Sequence, residues 1–335
     1  VIETAGCRNI HKRVFAAKLS CMGYFLLFNP DLNVYVAPQD GARQPSRSLR
    51  ARSSTDMFPN NRVVMPKITL FSTSNLRQGR SEHLQRMVDS IARAKVEDPS
   101  IDVHLYLLLQ NVPDDAVDPE FPDWISTRRI NHQISLSAAR NLLMREVVKA
   151  GVVTADGIYA FPDDDCWYPE KFLTLVAGLF RDKPEIDFWF CRYSSTPETK
   201  SALTTEKPAL QKVISRASSN TFFFRGRLLP ELQTFDEALG VGARLNGGED
   251  TDYAIRAFYL ARSTLFTDAP LVGHRDHDSS LKPKYFPGTL YAIAAHKTRS
   301  IPGIIAFVRK LLVGASLVAS GKLTLSGYIA AVRNA

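Results

Sequence analysis

From residue 65 onward, apolar positions recur in two alternating rhythms. Ile68-Thr69-Leu70-Phe71 opens a strand predicted over 68–73, and residues 101–109 (Ile-Asp-Val-His-Leu-Tyr-Leu-Leu-Leu) predict a second. The second run is nearly all apolar, as strands covered on both faces of a parallel sheet are. Between them Leu84, Met87, Val88 and Ile91 recur at helical spacing and predict a helix over 81–95. Leu142, Leu143, Val147 and Val148 do the same for Ser137–Lys149. A strand at 157–161, a helix at 169–181, aromatic strands at 187–193 and 220–225, and helical spacing from Tyr253 to Leu260 continue the series. Strand–helix alternation predicts an α/β fold with a mostly parallel central sheet and flanking helices. Such sheets bind ligands at strand C-terminal ends, near a switch in strand order.

The two ends of the chain break this rhythm. Residues 39–64 are rich in Arg, Ser, Pro, Asn and Gln and read as a linker. Residues 14–28 are partly apolar, but Lys18 interrupts them and they are too short to span a bilayer. No clean small-x-small cleavage site follows. Met65-Pro66-Lys67 stands directly before the first strand, so the functional protein is expected to begin near Met65, with 1–64 a poorly ordered extension. Toward the C-terminus, Ile304, Phe307, Val308, Leu311, Leu312, Ala315, Val318 and Ala319 form an i, i+3, i+4 stripe, with Arg309, Lys310 and Ser316 off it. This predicts an amphipathic helix lying in a membrane interface, not spanning it. The alternative is a helix packed on the rest of the protein.

Charge supports the first of these. The net +8 is unevenly spread: residues 1–64 carry nine Lys/Arg against four Asp/Glu, 65–280 carry 25 against 30, and 281–335 carry eight and no acid. A nucleic-acid binder shows its basic charge on the folded core. Here the core is acidic, which excludes that class and points to an anionic membrane surface. The four cysteines are scattered without a C-x-x-C pair, which suits a reducing cytosol and argues against structural zinc.

Candidate chemistry sits at the exit of the 157–161 strand, in Phe161-Pro162-Asp163-Asp164-Asp165-Cys166-Trp167-Tyr168-Pro169. Three adjacent carboxylates repel one another, and a divalent cation relieves the conflict. Hard oxygen ligands suit Mg²⁺ or Mn²⁺, which in turn grips a diphosphate. A solvated acidic turn is the plainer reading, against which stand the aromatic residues that follow at once. A second cluster lies some 85 residues on. Gly240, Gly242, Gly247 and Gly248 lead into Glu249, Asp250 and Asp252 at the start of a helix. Acids there are favoured by the helix dipole, and one of them is available as a general base.

In these motifs the chain resembles the family-2 glycosyltransferases of GT-A (Rossmann-like) fold. The likeness rests on Thr73-Ser74-Asn75-Leu76-Arg77, Ala139-Arg140-Asn141, Asp163-Asp164-Asp165 and Gly248-Glu249-Asp250, and covers roughly residues 65–300. It extends to a late His-containing turn and to the segment from Lys284-Tyr285-Phe286 to His296-Lys297, as in non-processive bacterial members of exopolysaccharide assembly. The Gln-x-x-Arg-Trp signature of processive synthases is absent, which implies transfer of a single sugar.

The resemblance implies a catalytic domain over 65–280, and the stripe and acid-free charge of 281–335 predict a membrane-association segment there. The resemblance further implies a nucleotide-sugar donor and a saccharide or lipid-linked acceptor, and the scattered cysteines and basic tail predict a cytoplasmic enzyme peripheral on the inner membrane face. Thr73, Asn75, Arg77, Arg140, Asp163 and Asp164 are the implied nucleotide-sugar contacts. Asp165 and Asp163 are the implied metal ligands, with His274 or His277 completing the shell. Which pair forms the Asp-x-Asp stays open. Asp250 is the implied base and Glu249 the implied acceptor-orienting residue. Two rivals share the acids: a sugar nucleotidyltransferase, which would carry a glycine-rich basic loop after the first strand, and a non-catalytic scaffold of a polysaccharide-assembly complex.

Overall fold

A computed structural model describes residues 65–75, 79–113 and 120–335. The expected extension 1–64 and Arg77 lie outside the described residues. The centre is a seven-stranded sheet. Its strands are β1 (Ile68–Asn75), β2 (Val103–Gln110), β3 (Ile125–Arg129), β4 (Ile158–Ala160), β5 (Phe188–Ser194), β6 (Phe222–Arg225) and β7 (Thr264–Gly273). They run in the order β3-β2-β1-β4-β6-β5-β7, and only β6 is antiparallel to its neighbours. From β1 the chain winds outward through β2 and β3, then returns to place β4 on the other side. That reversal between β1 and β4 creates the crevice in which such sheets bind ligands.

Period-two alternation explains the two cores. Ile68 and Leu70 of β1, with Leu105, Leu107 and Leu109 of β2, face α1 (Ser81–Glu97) and α3 (Phe172–Asp182). Phe71, Leu108, Tyr159 and Phe161 face the opposite layer, α2 (Leu136–Lys149) and α6 (Glu249–Leu260). Short helices α4 (Leu210–Arg216) and α5 (Leu229–Leu232) fill the intervening connections.

Two strands escape the hydrophobic pattern. In β3, Ser126, Thr127 and Arg128 are exposed at a sheet edge, so no apolar run marks it. In β7, Asp268 and Pro270 interrupt the strand where its register with β5 shifts. The helix predicted over 169–181 starts at Phe172, because Lys171 at its N-cap takes a left-handed conformation with φ 63°.

The C-terminal residues form α7 (Lys282–Ala295), α8 (Ile301–Ala319) and α9 (Leu325–Arg333). Here the predicted stripe is redrawn. The inner face of α8 is built on the small residues Gly303, Ala306 and Gly314, with Phe307, Leu311 and Val318 half-buried. Gly314 lies against the rings of Phe286 and Tyr328, where a side chain would not fit. Ile304, Val308, Leu312, Ala315 and Ala319 of the stripe are exposed instead, joined by Ile301 and Ile305. Lys310, off the predicted stripe, turns inward over the ring of Phe286. Backbone contact between helices needs small residues, and apolarity alone cannot tell which face makes that contact.

Candidate active site

The register of β4 on β1 determines where the first acidic cluster falls. Ala160 pairs with Leu70, so the chain beyond β4 runs on beside the end of β1. Four residues further along each strand, the Ser74 hydroxyl donates to Asp164 at 2.6 Å. Arg80, at the start of α1, closes on the same carboxylate with Nε at 2.8 Å from both oxygens. Asp164 is thereby buried and engaged toward β1. Asp163 and Asp165 converge instead on His274, which follows β7. His274 Nε2 is 3.2 Å from Asp165 Oδ1 and 3.9 Å from Asp163 Oδ2. Arg86 donates to the Asp165 carbonyl at 3.1 Å and stacks on Trp167 at 3.7 Å, so the aromatic residue after the acids braces their turn.

Arg140 joins this cluster to the second. Its side chain is buried on α2, and each arm of its fork holds one carboxylate: Nη2 meets Asp163 and Nη1 meets Asp250, both at 3.1 Å. Nη2 also donates to Ser219 Oγ at 2.7 Å. Burial opposes the charge, but Asp250, Asp163 and Glu249 outweigh it and raise the guanidinium pKa further.

The second cluster is delivered by Gly247 and Gly248, at φ 77° and 88°. Gly248 packs so closely on Gly288 of α7 that a Cβ would overlap that backbone. Positive φ and backbone contact both require glycine here. Asp250 follows at the start of α6, 25% exposed, accepting from the Ser219 N–H at 2.9 Å and Ser218 Oγ at 3.3 Å. Glu249 is buried, and Oε2 has no hydrogen-bond partner. Burial, with Asp250 adding to it against Arg140, pushes its carboxyl up to about 8. Asp252 faces elsewhere: it binds His296 Nε2 at 2.7 Å and Arg256 Nε at 2.9 Å, pinning the end of α7 to α6.

The residues around His274 fit a hard divalent cation. Asp165 Oδ1 and His274 Nε2 are both buried and face each other. Their 3.2 Å separation matches two adjacent ligands of an octahedral ion, about 3 Å for bonds of about 2.1 Å. His274 Nδ1 faces the Arg275 carbonyl at 2.8 Å, which orients the ring and leaves Nε2 for a ligand. Burial alone would raise Asp165, yet His274, Arg275 and Arg80 hold it at about 2, ready to ligate. Cys166 lies in the same group, but burial drives its thiol pKa well up, and a neutral soft donor does not suit such an ion. His277 is exposed.

Two cavities meet at this point. One of 170 Å³ is lined by Thr73, Asn75, Arg80, Gln110, Asp163 and Asp164 at the C-terminal ends of β1 and β2. The other, of 320 Å³, is lined by Asp163, Ser219, Gly248, Glu249, Asp250 and His274, among others. Asp163 and Arg275 belong to both. The structure thus brings Thr73, Asn75, Arg140, Asp163, Asp164, Asp165, Glu249, Asp250 and His274 together around these cavities, and turns Asp252 away from them. Asn75 there donates to Gln133 at 3.3 Å, and Thr73 accepts from Gln110 at 2.7 Å.

Sequence reasoning gave no role to Arg80, Gln110, Ser219, Asn220 or Arg275. Asn220 brackets Asp163, accepting from its N–H at 2.9 Å and donating to Oδ2 at 3.2 Å. Arg275 binds Asp165 at 2.7 Å. Its place beside His274 in Gly-His-Arg-Asp-His was the available signal.

No protein-family model and no curated protein matches the chain. Solved structures do match. Residues 1–349 of S. aureus TarS, in complex with UDP-GlcNAc, are 14% identical, with a TM-score of 0.54 over 79% of this chain and 79% of that one. The fold is the GT-A type. The same TarS fragment with UDP matches at TM-score 0.47 and 15% identity, over 68% of this chain and 65% of that one. A longer TarS chain matches at 0.48 and 15% over 69% of this chain, which spans 39% of its length.

Proposed function

We propose that this protein is an inverting glycosyltransferase that moves one sugar from a nucleotide-diphosphate donor to a lipid-linked saccharide, in exopolysaccharide or other cell-surface glycan synthesis. The observation carrying the proposal is the Arg140 bridge, which ties the acids suited to a metal–diphosphate to a carboxylate suited to base catalysis across one crevice. In this reading Thr73 and Asn75 line the nucleotide side, and Asp163 and Asp164 organise the donor, with Arg77 a further nucleotide contact. Arg275, 62% exposed beside Asp165, reaches the leaving diphosphate. Asp165 and His274, with Asp163, hold Mg²⁺ or Mn²⁺, which supplies Lewis-acid neutralisation of that diphosphate when bound.

Asp250 takes the proton of the acceptor hydroxyl as it attacks the anomeric carbon from the face opposite the leaving group, and this single displacement inverts the centre. Its hydrogen-bond donors fix its direction. Glu249, holding its proton at neutral pH, orients the acceptor as a donor. TarS forms complexes with UDP and UDP-GlcNAc, so UDP-sugars lead the donor panel. The test is hydrolysis of UDP-, GDP- and dTDP-sugars with Mn²⁺ and with chelator. Metal-dependent hydrolysis of one donor is expected; no binding and no turnover with any donor would leave a scaffold.

We also propose that α8 and α9 rest on the anionic cytoplasmic leaflet. The helix α8 has 19 residues and a mean hydropathy of 1.8, long and apolar enough by composition to cross a membrane. Its inner face is already packed on α7 and α9, which favours lying flat with Ile301, Ile305 and Leu312 in the lipid. The eight basic residues of 281–335 meet anionic headgroups at up to ~1 kcal/mol each. Flotation of the full chain with anionic liposomes is expected to leave a salt-resistant fraction. Ile305→Glu with Leu312→Glu should abolish that fraction, and unchanged flotation would return α8 to the aqueous surface.

A further inference from the structure

A third cavity opens beside the catalytic one. It measures 420 Å³ and is walled by Ile214 of α4, by Lys282, Tyr285 and Thr289 of α7, and by Lys310, Val313 and Leu317 of α8. Thr251, His277, Tyr285 and Thr289 line this cavity and the one holding Glu249 and Asp250, so the two are neighbours across a shared wall. The wall is positive at one end and apolar at the other. Among the described residues no acid pairs with Lys282 or Lys310, and 281–335 contains none at all. Lys310 has only the face of Phe286, 5.4 Å away, for company.

An unpaired ammonium against apolar surface is costly to maintain without a purpose. Burial, and then the charge of Lys282, pull Lys310 down to about 8, so a bound anion would restore what its surroundings remove. The apolar end leads outward: Val313 is 41% exposed, and Leu312, Val308 and Ile305 continue along the exposed face of α8.

We propose that this cleft binds a phosphate or diphosphate carried on a long apolar chain, with Lys282 and Lys310 on the anion and Val313 and Leu317 on the first carbons of the chain. The inference rests on the glycosyltransferase reading, for which it names the acceptor class: a saccharide joined through phosphate to a lipid. The sugar then projects over Tyr285 and Thr289 toward Asp250, while the chain leaves along α8 into the bilayer. Phosphate recognition by lysine acts as a point charge and needs no bidentate geometry. Two adjacent lysines without an acid therefore suffice as an anchor.

Farnesyl diphosphate, inorganic diphosphate and farnesol are the probes, titrated into the full-length protein at low detergent. Farnesyl diphosphate is expected to bind more tightly than either part alone. Lys310→Met and Lys282→Gln should each weaken it by at least about tenfold, the scale of one charge-assisted hydrogen bond. Lys310→Arg should recover most of the loss. Because Lys310 is unpaired, Lys310→Met is expected to melt no lower than the parent, which separates lost binding from lost folding.

Unchanged affinity in both variants would overturn the proposal. So would inorganic diphosphate binding as tightly as the farnesyl compound, or displacement of farnesyl diphosphate by UDP, which would put it in the donor crevice. UDP is titrated separately. Failure there removes the glycosyltransferase reading while leaving the lysine cleft to stand or fall on the lipid probes.

Discussion

Each of the two acidic clusters holds one buried carboxyl, Asp165 in the first and Glu249 in the second, and the two are pushed in opposite directions. Asp163–Asp165 sit among Arg80, Arg140, Arg275 and His274, and Asp165 is held at about 2. Glu249 and Asp250 share Arg140 alone, and Glu249 retains its proton up to about 8. Asp252, next in the second cluster, is drawn away by Arg256 and His296, which lower its pKa against the effect of burial. Burial pushes both Asp165 and Glu249 up, and only at Asp165 do His274, Arg275 and Arg80 together overcome it. That contrast sets an ionised Asp165 and a proton-holding Glu249 on one crevice, the pattern from which the proposed metal-binding and acid–base roles are argued.

Arg140 is the point at which the contrast is most exposed. Arg140→Met leaves Asp163 and Asp250, each about a quarter exposed, without their shared cation, a loss of about 1.5–3 kcal/mol on the scale of hydrogen bonds to charged groups. Denaturant unfolding is expected to show it, with transfer lost as well. A variant of parental stability would mean that the two clusters are not coupled. Asp165→Ala acts on the first cluster alone. It should take transfer to background and remove the Mn²⁺ dependence of UDP binding, read by calorimetry with and without metal, while thermal unfolding stays cooperative. Persistence of that metal dependence would move the ligand set elsewhere.

Smaller effects belong to the second cluster. Asp250→Asn keeps the shape but cannot take a proton, so turnover should fall about 10²-fold or more with UDP affinity nearly unchanged. Retention of most turnover would point to another base. Glu249→Gln tests the held proton through stability. A carboxyl raised from an ordinary 4.5 to about 8 binds a proton on folding, so the parent loses stability as pH rises from 4.5 to 8. The glutamine variant lacks that loss. Its melting temperature, relative to the parent, should climb across that window and level off above it. A difference independent of pH would show that Glu249 is ionised in the fold.

Much of this was legible before folding. Period-two and helical spacing located the central strands and the helices that cover them, because those residues are buried on the side the period names. The edge strands β3 and β7 were not, since an exposed edge and a register shift remove the apolar signal. Carboxylates gathered at a strand end and at a glycine-led helix start announced themselves as chemistry by their mutual repulsion. Their partners did not. Arg80, Arg275 and Asn220 look like ordinary polar residues until the sheet order brings β1, β4, β6 and β7 to one crevice.

The sequence by itself determined the α/β class, the acidic composition of the site and the basic, acid-free C-terminal region. Those follow from local period and from charge, which need no neighbours. Only the tertiary structure decided that Arg140 joins the two clusters, that Asp252 pins α7 instead of facing the crevice, and that Lys310 turns inward while Ile305 faces out. Each of these depends on which surfaces come within a few ångströms after folding. Burial and pairing energies are set by such distances and not by position along the chain.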